Sequence, residues 1–166
     1  KLLNNSIELL VNLSASPFSL SKELLRQKLA QKAAKRLGCP IIYLNQVGAN
    51  DELIFDGSSF IMKANGDIDL SLPKYKESLD IWDMNNSQSQ FTSISMRAEE
   101  KLFRSLVLGV QDYAKKCGFK SALLGLSGGI DSALVATIAS AALGADKVTS
   151  ILMPSPWSSI GSIKDS

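Results

Sequence analysis

The residues from Gly125 to Ala133, GLSGGIDSA, place adjacent glycines, two serines and one aspartate between two apolar runs. The glycines let the backbone turn sharply and let an anion approach without a Cβ in the way. N–H groups at a helix start, together with the hydroxyls of Ser127 and Ser132, are donors that a phosphate accepts. Asp131 would repel a phosphate unless a divalent cation bridges them, and Mg²⁺ is the usual hard, oxygen-preferring choice. The stretch therefore predicts a magnesium-assisted phosphate-binding loop.

The segments around this loop predict how it is positioned. KSALLGL, before it, has the length and apolarity of a buried strand. DSALVATIASAAL, after it, predicts a helix with Asp131 or Ser132 available as N-cap and Gly144 as its end. KVTSILM then predicts a second buried strand. The segment is thus expected to form a βαβ unit with parallel strands and a right-handed crossover.

The loop differs from two other phosphate-binding motifs, and one simpler interpretation of it exists. No Gly-Lys-Ser/Thr follows the glycines, so the loop is not a Walker A motif, and it does not match the dinucleotide pattern Gly-x-Gly-x-x-Gly. A plain strand-to-helix turn with Asp131 as an ordinary N-cap is the simpler interpretation. The agreement of strand, loop, cap and helix in order favours the phosphate-binding interpretation.

Composition limits the function classes. The chain of 166 residues is 45% hydrophobic and 20% charged, as expected of a globular protein, and no apolar run approaches a membrane span. A net charge of +2 gives no electrostatic case for nucleic acid or a membrane surface. The absence of histidine excludes Ser-His and Cys-His catalysis within this chain. Cys39 and Cys117 are expected to be small core residues, and their spacing favours a reducing cytoplasm. We see no signal peptide.

The first half of the chain predicts one edge of an α/β layer sheet. Leu9–Leu13 predicts a buried strand, and leucines at helical spacing then predict a helix that ends at Gly38. CPIIYLNQVG predicts a second apolar strand, with Pro40 tolerable at its first position. Turn signals at Asp56-Gly57 and Asn65-Gly66 separate further short strands, of which the last two are expected to pair as a hairpin.

The stretch from residue 73 to residue 95 predicts a linker between two domains, because its apolar residues are isolated and NNSQSQ is a polar low-complexity patch. MRAEEKLFRSLVLGVQDYAKKCGF follows as an amphipathic helix with early acidic and late basic residues, ending at Gly118.

Two stretches of the first half, NLSASPFSLSK and IIYLNQVGANDELIFDGSSF, resemble the C-terminal part of a nitrilase-type amidase domain. More narrowly, they resemble the glutaminase domain of glutamine-dependent NAD synthetases. The resemblance implies that Ser16 and Lys22 hold glutamine, and charge-assisted hydrogen bonds suit a zwitterionic amino acid. The residues alone favour a loop hydroxyl and a solvated lysine. The family's catalytic glutamate, lysine and cysteine would precede Leu9, so no catalytic residue is assigned within this chain.

The second half resembles the ATP pyrophosphatases, whose pyrophosphate-binding loop SGGIDS matches. LMPSPWSSIGSIKDS is similar to the corresponding run of NAD synthetases, with Trp157 a mild departure. The resemblance implies cleavage of ATP between its α- and β-phosphates, with Asp131 as a metal ligand. The residues implied to bind ATP are Gly125, Leu126, Ser127, Gly128, Gly129, Ile130, Asp131 and Ser132.

Together, the resemblances imply an α/β chain in three parts. Residues 1–72 would be the end of a nitrilase-like α/β layer domain, 73–95 a linker, and 96–166 the first βαβ unit of an adenine-nucleotide-hydrolase-like, Rossmann-like parallel sheet. The implied reaction converts deamido-NAD to NAD with ATP, Mg²⁺ and ammonia from glutamine. The implied parent is a cytoplasmic homo-oligomer acting on small molecules, and this chain alone would be inactive. Three alternatives remain. The first is another pyrophosphatase-type amidotransferase, such as a GMP synthetase. The other two are a non-catalytic nucleotide-binding fragment and an α/β interaction module without a ligand.

Overall fold

The computed structural model describes residues 7–85 and 96–153. These residues form an α/β fold with one mixed sheet, one antiparallel ribbon and one parallel strand pair. The chain divides into two units, Lys1–Ser105 and Leu106–Ser166, so the division falls within a helix. The domain limits expected from the sequence stay a prediction.

The first unit is built on a sheet of four strands in the order β1-β2-β5-β6. Its strands are β1 Leu10–Ser14, β2 Ile41–Asn45, β5 Phe60–Met62 and β6 Ile68–Ser71. β1 and β2 run parallel, and the other neighbours run antiparallel. Helix α1 (Lys22–Leu37) connects the parallel pair, and the hairpin expected around Asn65-Gly66 is confirmed as β5-β6.

The core of this unit forms where α1 lies on the sheet. Alternate residues of β2 and β5 point to one face, where the rings of Tyr43 and Phe60 stack with centroids 5.1 Å apart. Small residues of α1, Ala30 and Ala34, let the helix approach this face closely, and Ala34 is fully buried. Gly38 ends the helix with φ 69°, as the sequence predicts, because a left-handed residue is needed there.

The leucine stripe of α1 does not face this core. Leu24, Leu25 and Leu29 are each more than half exposed, whereas the buried residues of the helix are Arg26, Ala30 and Ala34. Within the described residues, the stripe is therefore an exposed apolar face. β1 is likewise mostly exposed rather than buried, contrary to the expectation from its apolar sequence.

A short antiparallel ribbon consists of β3 Val47–Asn50 and β4 Leu53–Asp56. Its two strands come between β2 and β5 in sequence, but they pair with each other and not with the four-stranded sheet. Asp56-Gly57 does turn the chain, with φ 66° at Gly57, but it links this ribbon to the sheet instead of closing a hairpin.

The chain beyond Pro73 continues to pack on the first unit. The backbone N–H of Tyr75 donates to the carbonyl of Asp56 at 3.0 Å, and the indole of Trp82 donates to the buried carboxylate of Asp69 at 2.8 Å. The expected linker therefore begins with residues that have partners. Its polar patch, at 86–95, lies outside the described residues.

In the second unit, β7 Ala122–Leu126 and β8 Val148–Leu152 pair in parallel, as predicted, and α3 Ile130–Leu143 connects them. A 3₁₀ turn, Ala145–Lys147, precedes β8. Helix α2, Ala98–Cys117, ends before Gly118 at φ 74°, also as predicted. β8 is mostly exposed instead of buried.

Cys39 is buried, as expected, but the expectation of a core position for Cys117 was wrong, because this thiol is exposed at the end of α2. No disulfide joins them, since both are free. No helix in residues 7–85 and 96–153 combines the length and apolarity needed to cross a bilayer.

Candidate functional site

The phosphate-binding loop predicted from the sequence lies between β7 and α3. Gly125 and Leu126 end the strand, residues 127–129 form the bend, and Ile130 begins the helix. Gly128 adopts φ 74°, a left-handed conformation that a side chain would strain. The structure thus brings all eight candidate residues to one strand-to-helix connection.

The bend is stabilised by bonds between its two serines and its own backbone. The Ser127 N–H donates to Ser132 Oγ at 3.2 Å, and the two hydroxyl oxygens are 3.1 Å apart. Ser132 Oγ donates to the carbonyl of Gly129 at 2.9 Å, and the Gly129 N–H donates to Ser127 Oγ at 3.4 Å. These bonds fix the curvature that turns the loop backbone inward.

The cap of α3 differs from the expectation. Gly129, in extended conformation, is the N-cap, and no side chain caps the helix. Asp131 lies inside the first turn and is exposed, so the prediction that Asp131 or Ser132 caps the helix was wrong. The first-turn N–H groups of Ile130, Asp131 and Ser132 therefore have no intrahelical acceptor, and they carry the positive end of the helix dipole.

Asp131 is the carboxylate of this loop. Among the described residues, no three acidic or cysteine side chains gather into a metal-binding cluster. A single carboxylate suits Mg²⁺ that arrives with a nucleotide, because this ion commonly takes one or two carboxylates with phosphate oxygens and waters. The donor set is therefore compatible with a magnesium–nucleotide complex and not with a resident metal cage.

The second predicted pair, Ser16 and Lys22, also meets in space. Both residues line a cavity of about 510 Å³ between β1 and α1. Its other walls are largely apolar, including Leu25 and Leu29 of the exposed leucine face. Lys22 forms no ion pair with any residue that the structure describes. The cavity thus combines an apolar wall with a hydroxyl and an uncommitted ammonium.

Sequence reasoning missed the residues that hold this pair. Asn45 forms two hydrogen bonds to the backbone of Ser16. Arg26 Nε donates to the carbonyl of Lys22 at 3.4 Å, and Arg26 Nη2 donates to both carboxylate oxygens of Asp56 at 2.8 Å. The sequence offers only two signals of these holding roles. They are an arginine on the buried face of α1 and an asparagine at the end of an apolar strand.

Next to Lys22, Glu23 accepts from two ammonium groups, Lys74 on Oε1 and Lys101 on Oε2 at 3.0 Å. Burial alone would raise the pKa of Glu23, but hydrogen bonds and charges from the two lysines outweigh burial and hold that pKa below its ordinary value. Glu23 is therefore a charged anchor between α1, the chain after β6 and the first turns of α2.

Comparison with known proteins gives consistent matches for both halves of the chain. Residues 102–166 match the sequence model of the NAD synthase family. The glutamine-dependent NAD(+) synthetase of Synechocystis sp. is 50% identical over 169 residues, which cover 99% of this chain. Over nearly its whole length, the chain is similar to part of the glutamine-dependent NAD⁺ synthetases. It spans about 30% of the length of the curated synthetases that it matches.

A solved synthetase agrees in structure as well. The glutamine-dependent NAD⁺ synthetase of Acinetobacter baumannii, solved in complex with ADP, superposes with a TM-score of 0.89 at 36% identity, over 95% of this chain and 31% of that chain. The synthetase of Cytophaga hutchinsonii shares the fold, with a TM-score of 0.71 at 19% identity over 92% of this chain and 34% of that chain. The run similar to NAD synthetases, from residue 154 onward, lies outside the described residues.

Proposed function

We propose that this chain supplies two substrate sites of a glutamine-dependent NAD⁺ synthetase. The loop from Gly125 to Ser132 would bind the phosphates of ATP, and the cavity with Ser16 and Lys22 would bind glutamine. The first unit would belong to a nitrilase-like glutaminase domain and the second to an adenine-nucleotide-hydrolase-like domain, with the limits 1–72, 73–95 and 96–166. The whole protein would then be a cytoplasmic homo-oligomer that acts on small molecules.

The observation that carries the nucleotide site is the geometry of the first turn of α3. Gly129 caps the helix without a side chain, so the N–H groups of three residues are left to bind an anion. A carboxylate at the N-cap would accept from first-turn N–H groups and leave fewer of them for an anion. The position of Asp131, two residues after Gly129 and within the first turn, leaves it beside the anion, where a cation can join the two.

The reaction proposed for the whole protein has two steps. A carboxylate oxygen of deamido-NAD⁺ attacks the α-phosphorus of ATP, and the bond to the β-phosphate breaks to release pyrophosphate. Ammonia then attacks the adenylated carbonyl carbon, loses a proton and expels AMP, which leaves the amide of NAD⁺. Magnesium, when bound, neutralises charge on the leaving pyrophosphate. In this chain, the N–H groups of the loop orient the phosphates, and Asp131 faces the cation.

At the glutamine site, the ammonium of Lys22 would pair with the substrate α-carboxylate, and the hydroxyl of Ser16 would bond to a polar group beside it. Such charge-assisted bonds are about twice as strong as neutral ones. The apolar wall of the cavity would hold the substrate methylenes. These contacts bind and orient glutamine; the described residues are not assigned the hydrolysis.

The test uses a chimera in which residues 1–166 replace the matching stretch of the Synechocystis synthetase. With ammonium as nitrogen source, Asp131→Ala should lower ATP-dependent NAD⁺ formation by roughly 100-fold, since a lost metal contact removes several kcal/mol of charge stabilisation. Asp146→Ala is the matched control, because Asp146 is exposed and precedes β8 at the opposite end of the strand pair. Equal rates in the two variants would contradict the nucleotide site.

The same chimera separates the glutamine site. Ser16→Ala and Lys22→Met should raise the KM for glutamine by roughly tenfold or more, the usual effect of losing a hydrogen bond to a charged group. Neither should change the rate with saturating ammonium. An unchanged KM for glutamine in both variants would refute the assignment of this cavity, while leaving the nucleotide site standing.

A further inference from the structure

The loop that carries Ser16 is held by one side chain of the neighbouring strand. Asn45 Oδ1 accepts from the Ser16 N–H at 2.8 Å, and Asn45 Nδ2 donates to the Ser16 carbonyl at 3.2 Å. Both polar backbone groups of Ser16 are thus bound by a single carboxamide. Because the two peptide planes that flank Ser16 are fixed, the direction of its Cα–Cβ bond is fixed as well.

Asn45 is itself immobilised. Its side chain is 8% exposed, and its N–H donates to Ser59 Oγ at 2.9 Å, while Ser59 Oγ donates to the Asn45 carbonyl at 3.4 Å. The next residue, Gln46, donates its N–H to the carbonyl of Ser14 at 3.0 Å. With the two bonds to Ser16, the Gln46–Ser14 bond gives three links between the end of β2 and the chain from Ser14 to Ser16, and Ser59 holds the backbone of Asn45 from the other side.

Only a carboxamide satisfies both bonds. Aspartate can accept from the Ser16 N–H but places a second oxygen against the Ser16 carbonyl, and leucine fills a similar volume with neither bond. Ser16 lines the cavity, whereas Asn45 is buried and is not one of the described residues that line it. Asn45 can therefore reach a ligand only through Ser16.

We infer that Asn45 is a positioning residue of the glutamine site, which aims the Ser16 hydroxyl into the cavity by clamping the Ser16 backbone. The inference rests on the proposed function of this cavity. It adds a specificity-determining residue that does not contact the substrate. The buried bonds of Asn45 fix the Ser16 backbone and the Cβ that carries the hydroxyl before glutamine arrives, so less ordering remains to be done on binding.

The first test measures the nitrogen source. In the chimera, Asn45→Leu should raise the KM for glutamine by roughly tenfold, which corresponds to two neutral hydrogen bonds of ordinary strength. The maximal rate with ammonium should stay within about twofold, because the nucleotide site is untouched. Asn50→Leu is the matched control, since Asn50 is an exposed asparagine of the separate ribbon. An equal loss with both nitrogen sources would overturn the inference.

The second test is a double-mutant cycle, which a purely structural role would not satisfy. If Asn45 acts through the Ser16 hydroxyl, Asn45→Leu should add little to the KM of the Ser16→Ala variant. Multiplicative effects would overturn the inference while leaving Ser16 in the site. If Ser16→Ala and Lys22→Met both leave the KM unchanged, the proposed function of the cavity fails first, and the inference with it.

Asn45→Asp keeps the measurement possible if Asn45→Leu does not fold. It retains the acceptor for the Ser16 N–H and loses the donor to the Ser16 carbonyl. A rise in the KM for glutamine, with the ammonium rate preserved, supports the positioning role. An unchanged KM in a folded Asn45→Asp chimera overturns it.

Discussion

The two candidate loops reach their shapes by different routes. The loop before α3 is held by bonds among residues no more than five positions apart, and most of it is exposed. The loop before α1 is held by Asn45 and by the Arg26–Asp56 pair, whose partners are 29 and 30 positions apart in sequence. A local motif can specify the first loop, whereas the second exists only once β2 and β4 are in place.

The largest effect that tests this contrast is expected from Arg26→Ala. Arg26 and Asp56 are both almost fully buried, so the variant leaves a carboxylate without its counter-charge. We expect the free energy of unfolding to fall by about 3–5 kcal/mol. Urea denaturation followed by circular dichroism measures this change.

Arg104→Ala is the matched control, because the pair between Arg104 and Glu100 spans one helical turn and is about half exposed. Its loss should cost no more than about 0.5 kcal/mol. Similar losses of stability in the two arginine variants would show that the long-range pair does not hold the first unit together.

A smaller effect is expected from Gly128→Ala in the local loop. A side chain at φ 74° costs about 1–2 kcal/mol, and the strain lies where the N–H groups must face the phosphates. In the chimera, ATP should bind roughly tenfold more weakly, as titration calorimetry in the presence of Mg²⁺ would report.

Gly118→Ala provides the comparison, since Gly118 has the same φ of 74° and open space around its Cα. The two variants should lose similar stability, but Gly118→Ala should keep its affinity for ATP. Equal weakening of ATP binding would mean that the effect is general and that the loop is not the site.

Much of the nucleotide loop was predictable because its information is local. The order of strand, glycines and helix is encoded within about twenty residues. The helix ends at Gly38 and Gly118 were also predictable, because they need the left-handed conformation that only glycine adopts easily. The prediction of the N-cap was wrong because Gly129, close to the two candidate side chains, takes the extended conformation and caps the helix instead. Propensity does not decide among three candidates that lie within four positions.

The clamp around Ser16 was not predictable, because its partners are distant in sequence. Asn45 ends an apolar strand and reads as a loop residue, and only the parallel pairing of β1 with β2 brings it beside Ser16. The face of α1 was misleading for a related reason. Leucines marked the expected core side, but the sheet packs against the alanines, where a close approach is possible.

The smallest effect concerns Glu23, which is not among the residues that hold either of the two loops. Its folded pKa is below the ordinary value of 4.5, so its contribution to stability is present above that pH and is lost as the pH falls through the folded pKa. Melting temperatures between neutral pH and about pH 3 should therefore fall less steeply in Glu23→Gln than in the unmodified chain. Parallel profiles would contradict the stabilising role of the two lysines.

Lys101 gives that ion pair a practical consequence. The polar patch NNSQSQ is the obvious place to divide the chain if the two halves are to be expressed separately. Such a cut would remove Lys101 and Ser105 from the unit to which they belong, although both lie beyond the patch. Glu23 would keep only one of its two cations, and Tyr75 would lose the hydroxyl of Ser105 as a hydrogen-bond partner. A soluble first half is therefore better sought by ending it within α2, after Ser105, than at the most obvious gap in the sequence.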